Sequence, residues 1–344
     1  MQLCERGVLG MGRYITVSLV LLLVLAGCGV ANDNEGTLTV YSGRSRELVD
    51  PLLERFAEET DIKVEVRYGN TAELAATLLE EGDNSPADVF FAQDAGGLGV
   101  LAREEMLVQL PDGILDRVEP RFRAPAGDWV GISGRARVVA YNTDRVDESE
   151  LPDSILGFTD PKWKGRVGWP PTNVSFQAFV TGLRVEMGED IARDWLEGIL
   201  ANEPRVYSNN TSTVDAVGRG EVDVGFVNHY YLFRFKAEHG EDFPVVNFYP
   251  KGGDPGALIN VAGAAILGTS SRAEMAEKLI TYLLSSDAQE YFAFETYEYP
   301  LMRDARAHGE VVPLSEIDTP DMDLGNLYDL QATLNLLRKT GVLD

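Results

Sequence analysis

The 344-residue chain is poor in cysteine, histidine and positive charge, and each shortage excludes a class of function. Its two cysteines, Cys4 and Cys28, lie near the N-terminus, so the rest of the chain has neither a disulfide framework nor a thiolate metal site. Only three histidines occur, without a G-x-S-x-G or H-E-x-x-H motif, which argues against a hydrolase. A formal net charge of −25 argues against nucleic acid as a partner. We therefore expect a protein that is not an enzyme and binds no nucleic acid.

Long apolar runs are also scarce, and the most prominent one, YITVSLVLLLVLAGC, lies near the N-terminus and ends at Cys28. Arg6 and Arg13 precede it, and it is shorter than the roughly 20 apolar residues of a membrane-spanning helix. Its end, LAGC, resembles the lipobox of bacterial lipoproteins. The resemblance implies a signal peptide over residues 1–27, lipid attached to Cys28, and a tether over residues 28–36. We expect a protein in the cell envelope, outside the cytoplasmic membrane and anchored to membrane lipid through Cys28.

The residues after this segment alternate between strand and helix patterns. The stretches TLTVYS and DIKVEVRY alternate apolar and polar residues, whereas SRELVDPLLERFAEET and TAELAATLLEEG repeat apolar residues at helical spacing. Such β-α-β units predict an α/β fold with a parallel sheet and helices on both faces. The chain is long enough for two lobes of about 150 residues each.

Three stretches predict turns that open toward a ligand cleft, because ligands bind beyond the carboxyl ends of parallel strands. They are YSGRS (Tyr41–Ser45), FAQDAGG (Phe91–Gly97) and ISGRAR (Ile132–Arg137). The first leads directly into a helix, whose N-terminal amide groups attract anions, and Arg44 adds a full positive charge.

The stretch FVNHYYLFRF places two phenols side by side, at Tyr230 and Tyr231. With 13 tyrosines in 344 residues, about half of one adjacent pair is expected by chance, so adjacency proves nothing by itself. Successive strand residues point to opposite faces, so both phenols reach one ligand only if the backbone turns at NHYYLF. From this stretch alone, two half-buried aromatic residues and a pair of ligands are both open.

The order of the blocks SPADVF, SGRARVV, WKGRVG and DPGAL resembles the solute-binding proteins of ferric-iron ABC transporters, lipoprotein form included. The resemblance runs from about Leu38 to about Leu301. It implies an α/β, two-lobed periplasmic-binding-protein (type 2) fold with a ligand cleft between the lobes. Lobe 1 would comprise residues 37–134 and 262–311, and lobe 2 residues 135–261 and 312–344.

The same resemblance implies the site. The adjacent tyrosines are the iron ligands of the family, and Gln93 stands where many members have a metal-binding glutamate. Arg44 or Ser45 replaces a histidine, and Trp169 replaces a third tyrosine, so a co-bound carbonate or phosphate would complete the ligand set. We assign the metal to Tyr230, Tyr231 and Gln93, and the anion to the following residues: Arg44, Arg135, Thr172, Asn173, Ser175, Asn210 and Asn228. His229 is expected to point away, toward a backbone carbonyl.

These residues imply a lipid-anchored, monomeric solute-binding protein that captures Fe(III) and delivers it to an ABC permease of the inner membrane. Phenolate oxygen suits a hard, triply charged cation. The alternative is a binding protein for an organic phosphate, phosphonate or thiamine-like solute, in which the phenols would be hydrogen-bond donors. A third possibility, a lipoprotein that reports its ligand to a membrane sensor, has the same pocket and a different partner.

Overall fold

The computed structural model describes residues 36–343. The predictions for the signal peptide, for lipid attachment at Cys28 and for most of the tether lie outside the described residues. Within them, every helix is too short or too polar to cross a lipid bilayer.

Strands and helices alternate along this part of the chain. The strands of residues 36–343 are β1 (Thr37–Ser42), β2 (Lys63–Tyr68), β3 (Val89–Ala92), β4 (Val130–Asn142), β5 (Val167–Trp169), β6 (Arg205–Val206), β7 (Val224–Asn228), β8 (Val245–Phe248), β9 (Ile259–Ile266) and β10 (Tyr299–Pro300). The helices are α1 (Arg46–Thr60), α2 (Thr71–Glu81), α3 (Ala95–Arg103), α4 (Asp112–Leu115), α5 (Val174–Met187), α6 (Glu189–Ala201), α7 (Asn210–Gly218), α8 (Tyr230–His239), α9 (Ala273–Leu283), α10 (Ser286–Glu295) and α11 (Leu330–Lys339). The first four predicted elements are confirmed as β1, α1, β2 and α2.

The sheet is mixed, so the prediction of a parallel sheet is wrong for its centre. Its strand order is β2-β1-β3-β9-β4-β7-β5-β6, with β8 and β10 also paired to β4. Strand β1 runs parallel to β2 and β3, and β5 runs parallel to β6 and β7. Strand β9 is antiparallel to both β3 and β4. It returns from a distant part of the chain, so no local pattern in the sequence reveals this pairing.

Strand β4 crosses from one half of the sheet to the other. It pairs with β9 from Val130 to Ala136 and with β7 from Arg137 to Tyr141. The stretch ISGRAR therefore lies inside a strand, and the prediction of a turn there is wrong. Gly131, directly before this stretch, allows close packing, because a Cβ at this position would lie 2.6 Å from the Phe122 carbonyl oxygen.

Separate apolar clusters pack on the two halves of β4. One cluster contains β1, β2, β3, β9 and the first half of β4, and Ile317 and Leu324 join it. Another surrounds Trp195 and Phe226 and includes Leu336 from α11. A third cluster contains Val138 and Ala140 of β4. The cores on the two halves of the sheet are joined by this one strand and leave a cleft at the crossing, where β4, β7 and the start of α5 meet. The predicted residue boundaries of the two lobes stay a prediction.

Candidate functional site

A strand-to-helix turn places the two tyrosines. Strand β7 ends at Asn228, His229 already has helical dihedral angles (φ −58°, ψ −40°), and α8 begins at Tyr230. The His229 amide donates to the Ala136 carbonyl at 3.0 Å, and Asn247 Nδ2 donates to the His229 carbonyl at 2.8 Å. The backbone bend that two convergent phenols require is confirmed.

Both phenol rings face a cavity of about 140 Å³. The rings of Tyr230 and Tyr231 are stacked, with centroids 4.4 Å apart and planes inclined by 28°. The Arg234 guanidinium lies over the Tyr230 ring, with Cζ 4.9 Å from the centroid. Burial, and then the proximity of Tyr230, raise the pKa of Tyr231 well above its usual value. The Tyr231 phenol therefore carries its proton at neutral pH until a cation displaces it.

The cavity brings together most of the residues that the sequence predicts for the site. Those that line it are Gln93, Arg135, Asn173, Ser175, Asn210, Asn228, Tyr230 and Tyr231. Arg44 and Thr172 do not line it, and the lining includes Asp94, Arg137 and Asn260, which were not predicted.

Arg44 points into the core of the first half of the sheet, which corrects its assignment to the anion. Its Nη2 pairs with the Glu298 carboxylate at 2.8 Å, and both side chains are almost fully buried. Ser133 Oγ donates to the same carboxylate at 2.5 Å. Burial alone would raise the pKa of Glu298, but the charges of Arg44 and Arg135 and this hydrogen bond outweigh it and hold the pKa below its usual value. The ionised Glu298 carboxylate thus provides the counter-charge for the buried Arg44 guanidinium.

Gln93 lines the cavity, but its side-chain oxygen is engaged. Oε1 accepts a hydrogen bond from Arg44 Nη1 at 2.7 Å, and the Gln93 carbonyl accepts one from Arg135 Nη2. An amide whose oxygen faces Arg44 is left with its NH₂ group as a donor. The geometry therefore favours contact of Gln93 with an anion over ligation of a cation.

Thr172 and Trp169, two other positions considered in the sequence analysis, lie outside the cavity. Thr172 is exposed in the loop before α5. Trp169 is fully buried, and its ring packs edge-on against Phe176 and Trp195, so it serves the core of the second half of the sheet.

Arg137 is a cavity-lining residue that the sequence analysis does not single out. It is 4% exposed, and its Nη1 donates to Asn228 Oδ1 at 2.9 Å and to Ser175 Oγ at 3.4 Å. Its Nη2 is buried without a hydrogen-bond partner, and no carboxylate of residues 36–343 is ion-paired with it. Burial lowers the pKa of Arg137 to about 9, so the side chain is a cation at neutral pH. The sequence does contain a signal for Arg137, because the two arginines of SGRAR are two residues apart and therefore lie on one face of a strand.

Arg135 provides a second guanidinium at the same wall. It is 4% exposed, and its Nε has no hydrogen-bond partner. Burial lowers the pKa of Arg135, while the charge of Glu298 partly counteracts this effect. Asp94, the one carboxylate among the residues lining this cavity, caps α3 by accepting from the Gly97 amide at 3.1 Å. Two guanidinium groups against one carboxylate make the cavity attractive to anions.

Amide and hydroxyl side chains form the neutral part of the lining beside Arg137. Asn173 caps α5 by accepting from the Ser175 amide at 3.0 Å. Asn210 Nδ2 donates to Asn173 Oδ1 and to Ser175 Oγ, each at 3.1 Å, and Asn210 Oδ1 accepts from the Asn228 amide at 3.1 Å. Asn173 and Asn210 therefore fix the starts of α5 and α7 as well as lining the cavity.

His229 turns away from the cavity, as expected. Its Nδ1 accepts from the Ala136 amide at 3.2 Å, and its Nε2 donates to the Tyr297 carbonyl at 2.8 Å. Burial lowers the pKa of His229 to about 4, so the imidazole is neutral and holds the turn in place.

The chain is similar to several known proteins. The family profile described as "Bacterial extracellular solute-binding protein" matches residues 52–315. The chain is 31% identical to the Fe(3+)-binding periplasmic protein of Serratia marcescens over 324 residues, covering 94% of this chain and 95% of that protein. It is 32% identical to the major ferric iron-binding protein of Neisseria meningitidis serogroup A, covering 93% of this chain and 97% of that one. The crystal structure of iron-bound HitA from Pseudomonas aeruginosa matches with a TM-score of 0.81 at 35% identity, covering 89% of this chain and 99% of that one.

Proposed function

Because the chain belongs to the family of bacterial extracellular solute-binding proteins, we propose that it captures Fe(III) together with a carbonate or phosphate anion and delivers the iron to an ABC permease. The family consists of transport proteins and not of enzymes, and the two-lobed α/β periplasmic-binding-protein fold is confirmed. The observation that carries the proposal is the cavity in which two stacked phenols face two partly unpartnered guanidinium groups.

The phenols supply what ferric iron needs. Hard cations prefer hard anionic oxygen, and a deprotonated phenol is such a ligand. Tyr230 and Tyr231 lie in the first turn of α8 with their rings stacked, and both line the same 140 Å³ space. The names of the relatives in Serratia and Neisseria, which specify ferric iron, support the same cargo.

The guanidinium groups explain why an anion would accompany the metal. A bare cation beside Arg135 and Arg137 would be repelled, whereas an oxyanion between them neutralises both charges and offers oxygen to the iron. Arg137 Nη2 and Arg135 Nε are buried donors without partners, and leaving such donors unsatisfied is costly. The side-chain NH₂ group of Asn228 adds a neutral donor beside Arg137.

Delivery would follow closure of the cleft. The ligand bridges the two halves of the sheet, the halves close over it, and the closed form docks on the permease. Lipid attachment at Cys28 would keep the protein beside that permease.

The second candidate is an organic phosphate or phosphonate, and the two arginines favour it. In that case the phenols would stay protonated and donate hydrogen bonds to the ligand. The two candidates differ in whether the phenol protons are lost.

The deciding experiment is a visible spectrum of the purified protein after addition of Fe(III) and bicarbonate. Phenolate-to-iron charge transfer should colour the wild type, and Tyr230→Phe or Tyr231→Phe should weaken binding and shift or bleach the band while keeping the packing of the ring. Tyr141→Phe is the matched control, because Tyr141 is 5% exposed and lies outside the cavity. A colourless wild type that binds an organic phosphate, with unchanged affinity in both Phe variants, would replace iron by the second candidate.

A further inference from the structure

The helix that carries the two phenols is held from the other half of the sheet. Helix α8 follows β7, which pairs with the second half of β4. Its Phe233 is 5% exposed and belongs to the apolar cluster of the first half. The Phe233 ring stacks on Tyr297, with centroids 5.7 Å apart and planes inclined by 20°. Because Tyr297 directly precedes the part of the chain that pairs with the first half of β4, the position of α8 depends on a contact from outside its own half.

The turn before α8 rests on the same segment, Tyr297–Tyr299, which we call the bridging segment. The Tyr297 carbonyl accepts from His229 Nε2 at 2.8 Å. The Tyr299 ring stacks on the His229 imidazole, with centroids 4.5 Å apart and planes inclined by 23°. Tyr299 is fully buried, and its hydroxyl donates to the Val312 carbonyl at 2.9 Å, which fixes the ring. The bridging segment therefore contacts the residue before the two phenols through both its ring nitrogen and its ring face.

Tyr297 adopts a left-handed backbone conformation, with φ at 57°. This conformation is uncommon for a residue with a bulky side chain, and it persists only where the surrounding structure enforces it. At Tyr297 it accompanies a carbonyl directed at His229 and a ring packed on Phe233. The strained residue is thus the one that contacts both α8 and the turn before it.

Glu298, the middle residue of the bridging segment, acts on the guanidinium side of the cavity. Its carboxylate pairs with Arg44 Nη2 at 2.8 Å, and Arg44 Nη1 donates to Gln93 Oε1 at 2.7 Å. The Gln93 carbonyl in turn accepts from Arg135 Nη2. Glu298, Arg44 and Arg135 are each at most 4% exposed, so water does little to weaken these charge-assisted hydrogen bonds. Three consecutive residues therefore support both the phenol side and the guanidinium side of the cavity.

We propose that the bridging segment is a positioning element for metal binding. It holds the two phenols at the distance from Arg135 at which one anion contacts the guanidinium and shares oxygen with the iron. Its two tyrosines act on the phenols through His229 and α8, and its carboxylate acts on Arg135 through Arg44 and Gln93. None of its three residues lines the cavity, so it acts without touching iron or anion. The proposal rests on the proposed capture of Fe(III) with an anion.

Two phenylalanines of α8 provide a matched pair of variants. Phe233→Leu removes the ring that stacks on Tyr297. Phe235→Leu makes the same change on the same helix, but Phe235 is 8% exposed and stacks on Phe243, in the cluster that contains Val138. Both variants lose part of a buried aromatic side chain and should lose stability to a similar extent. A difference between them in ligand binding therefore reports positioning.

The measured quantity is the factor by which bicarbonate tightens iron retention over carbonate-free buffer. It is obtained by equilibrium dialysis of radioactive Fe(III) against a competing chelator. A merely structural role would lower retention with and without bicarbonate alike and leave this factor unchanged. We expect Phe233→Leu to lower the factor about tenfold, because a displacement of about 1 Å in a site that depends on positioning costs up to about 100-fold. Phe235→Leu should keep the wild-type factor.

Tyr299 tests the bridging segment directly. Tyr299→Phe keeps the ring on His229 and should keep the wild-type factor, whereas Tyr299→Leu should lower it as Phe233→Leu does. At saturating Fe(III) and bicarbonate, the phenolate-to-iron band should shift in Tyr299→Leu and not in Tyr299→Phe. Phe56→Leu is the control, because Phe56 is also fully buried in the cluster of the first half and packs on Tyr282. Circular dichroism verifies folding, and the two α8 variants decide the question if Tyr299→Leu does not fold.

The outcomes separate this inference from the proposed function. Equal bicarbonate factors in Phe233→Leu and Phe235→Leu, with a coloured wild type, overturn the positioning role and leave iron capture standing. An equal fall of the factor in Tyr299→Leu and Phe56→Leu overturns it as well, because general loss of stability then explains the effect. A wild type without a charge-transfer band overturns iron capture and this inference with it.

Discussion

Replacing Arg137 tests whether the cavity is built for an anion. Its guanidinium is buried without a carboxylate partner, and burial lowers its pKa from 12.5 to about 9. At pH 7 the group is protonated in both the folded and the unfolded protein, so the full penalty of burying the charge acts on the folded state. A pKa lowered by this much corresponds to a free-energy penalty of about 3 to 5 kcal/mol for burying the charged guanidinium in the folded state. The protein without ligand therefore holds a costly cation.

We expect Arg137→Met to make the ligand-free protein more stable. Exchanging a buried charge for an apolar side chain of similar length typically adds about 1 to 4 kcal/mol. The lost hydrogen bond to Asn228 offsets about 1 kcal/mol of this gain. The net increase in the free energy of unfolding should be about 1 to 3 kcal/mol.

The response to an anion should change in the opposite direction. Phosphate or bicarbonate at about 100 times its Kd should stabilise the wild type by about 2.7 kcal/mol, and should add almost nothing to Arg137→Met. The contribution of residue 137 to the stability of the wild type should also rise above about pH 9, because the unfolded state then binds more protons at this residue than the folded state. Arg137→Met should lack that rise.

Urea unfolding of the metal-free protein, with and without the anion, measures each of these quantities. Arg193→Met is the control, because Arg193 is partly exposed, pairs with Asp190 and lies outside the cavity. A variant at position 137 that is more than about 2 kcal/mol less stable than the wild type, and that still gains stability from phosphate, would refute the reasoning.

Three further predictions concern other parts of the chain. Glu298→Gln should lower the free energy of unfolding by about 3 to 5 kcal/mol in urea, because Arg44 keeps a buried charge without a counter-charge, whereas the exposed Glu310→Gln should have little effect. Iron retention in dialysis between pH 5 and 8 should fall by up to about 100-fold per pH unit of acidification, because two phenol protons compete with the metal, and Tyr230→Phe should reduce this to about tenfold; a pH-independent affinity would contradict phenolate ligation. Cys28→Ser should move the protein from the membrane pellet to the soluble fraction without changing its fold, and a variant that stays in the pellet would contradict lipid attachment.

The elements near the N-terminus could be predicted from the sequence because their signals are local. Alternating residues mark β1 and β2, and apolar residues at helical spacing mark α1 and α2. The bend at Tyr230 could be inferred from a chemical requirement, since two adjacent phenols cannot share a ligand from a straight strand. The antiparallel pairing of β9 with β3 and β4 joins segments far apart in the chain, and nothing local encodes it.

The arginines show the same limit at the level of side chains. The place of Arg44 at a strand end predicts contact with the anion, but its partner Glu298 lies 254 residues further along the chain. Arg137 is hidden at the level of sequence because ISGRAR is rich in small residues, which predicts a turn. Once the stretch is recognised as a strand, the spacing of Arg135 and Arg137 places both side chains on one face.

The crossing strand β4 has a mechanical consequence. Arg135 sits in the part of β4 that is paired with β9, and Arg137 sits in the part that is paired with β7, so the two guanidinium groups belong to different halves of the sheet. Any bending of β4 between these residues changes the separation of their charges. An anion that contacts both would act as a cross-brace, and its dissociation would let the two halves move apart at the same point of the backbone. Under the proposed function, release of the anion and opening of the cleft would then be one movement rather than two.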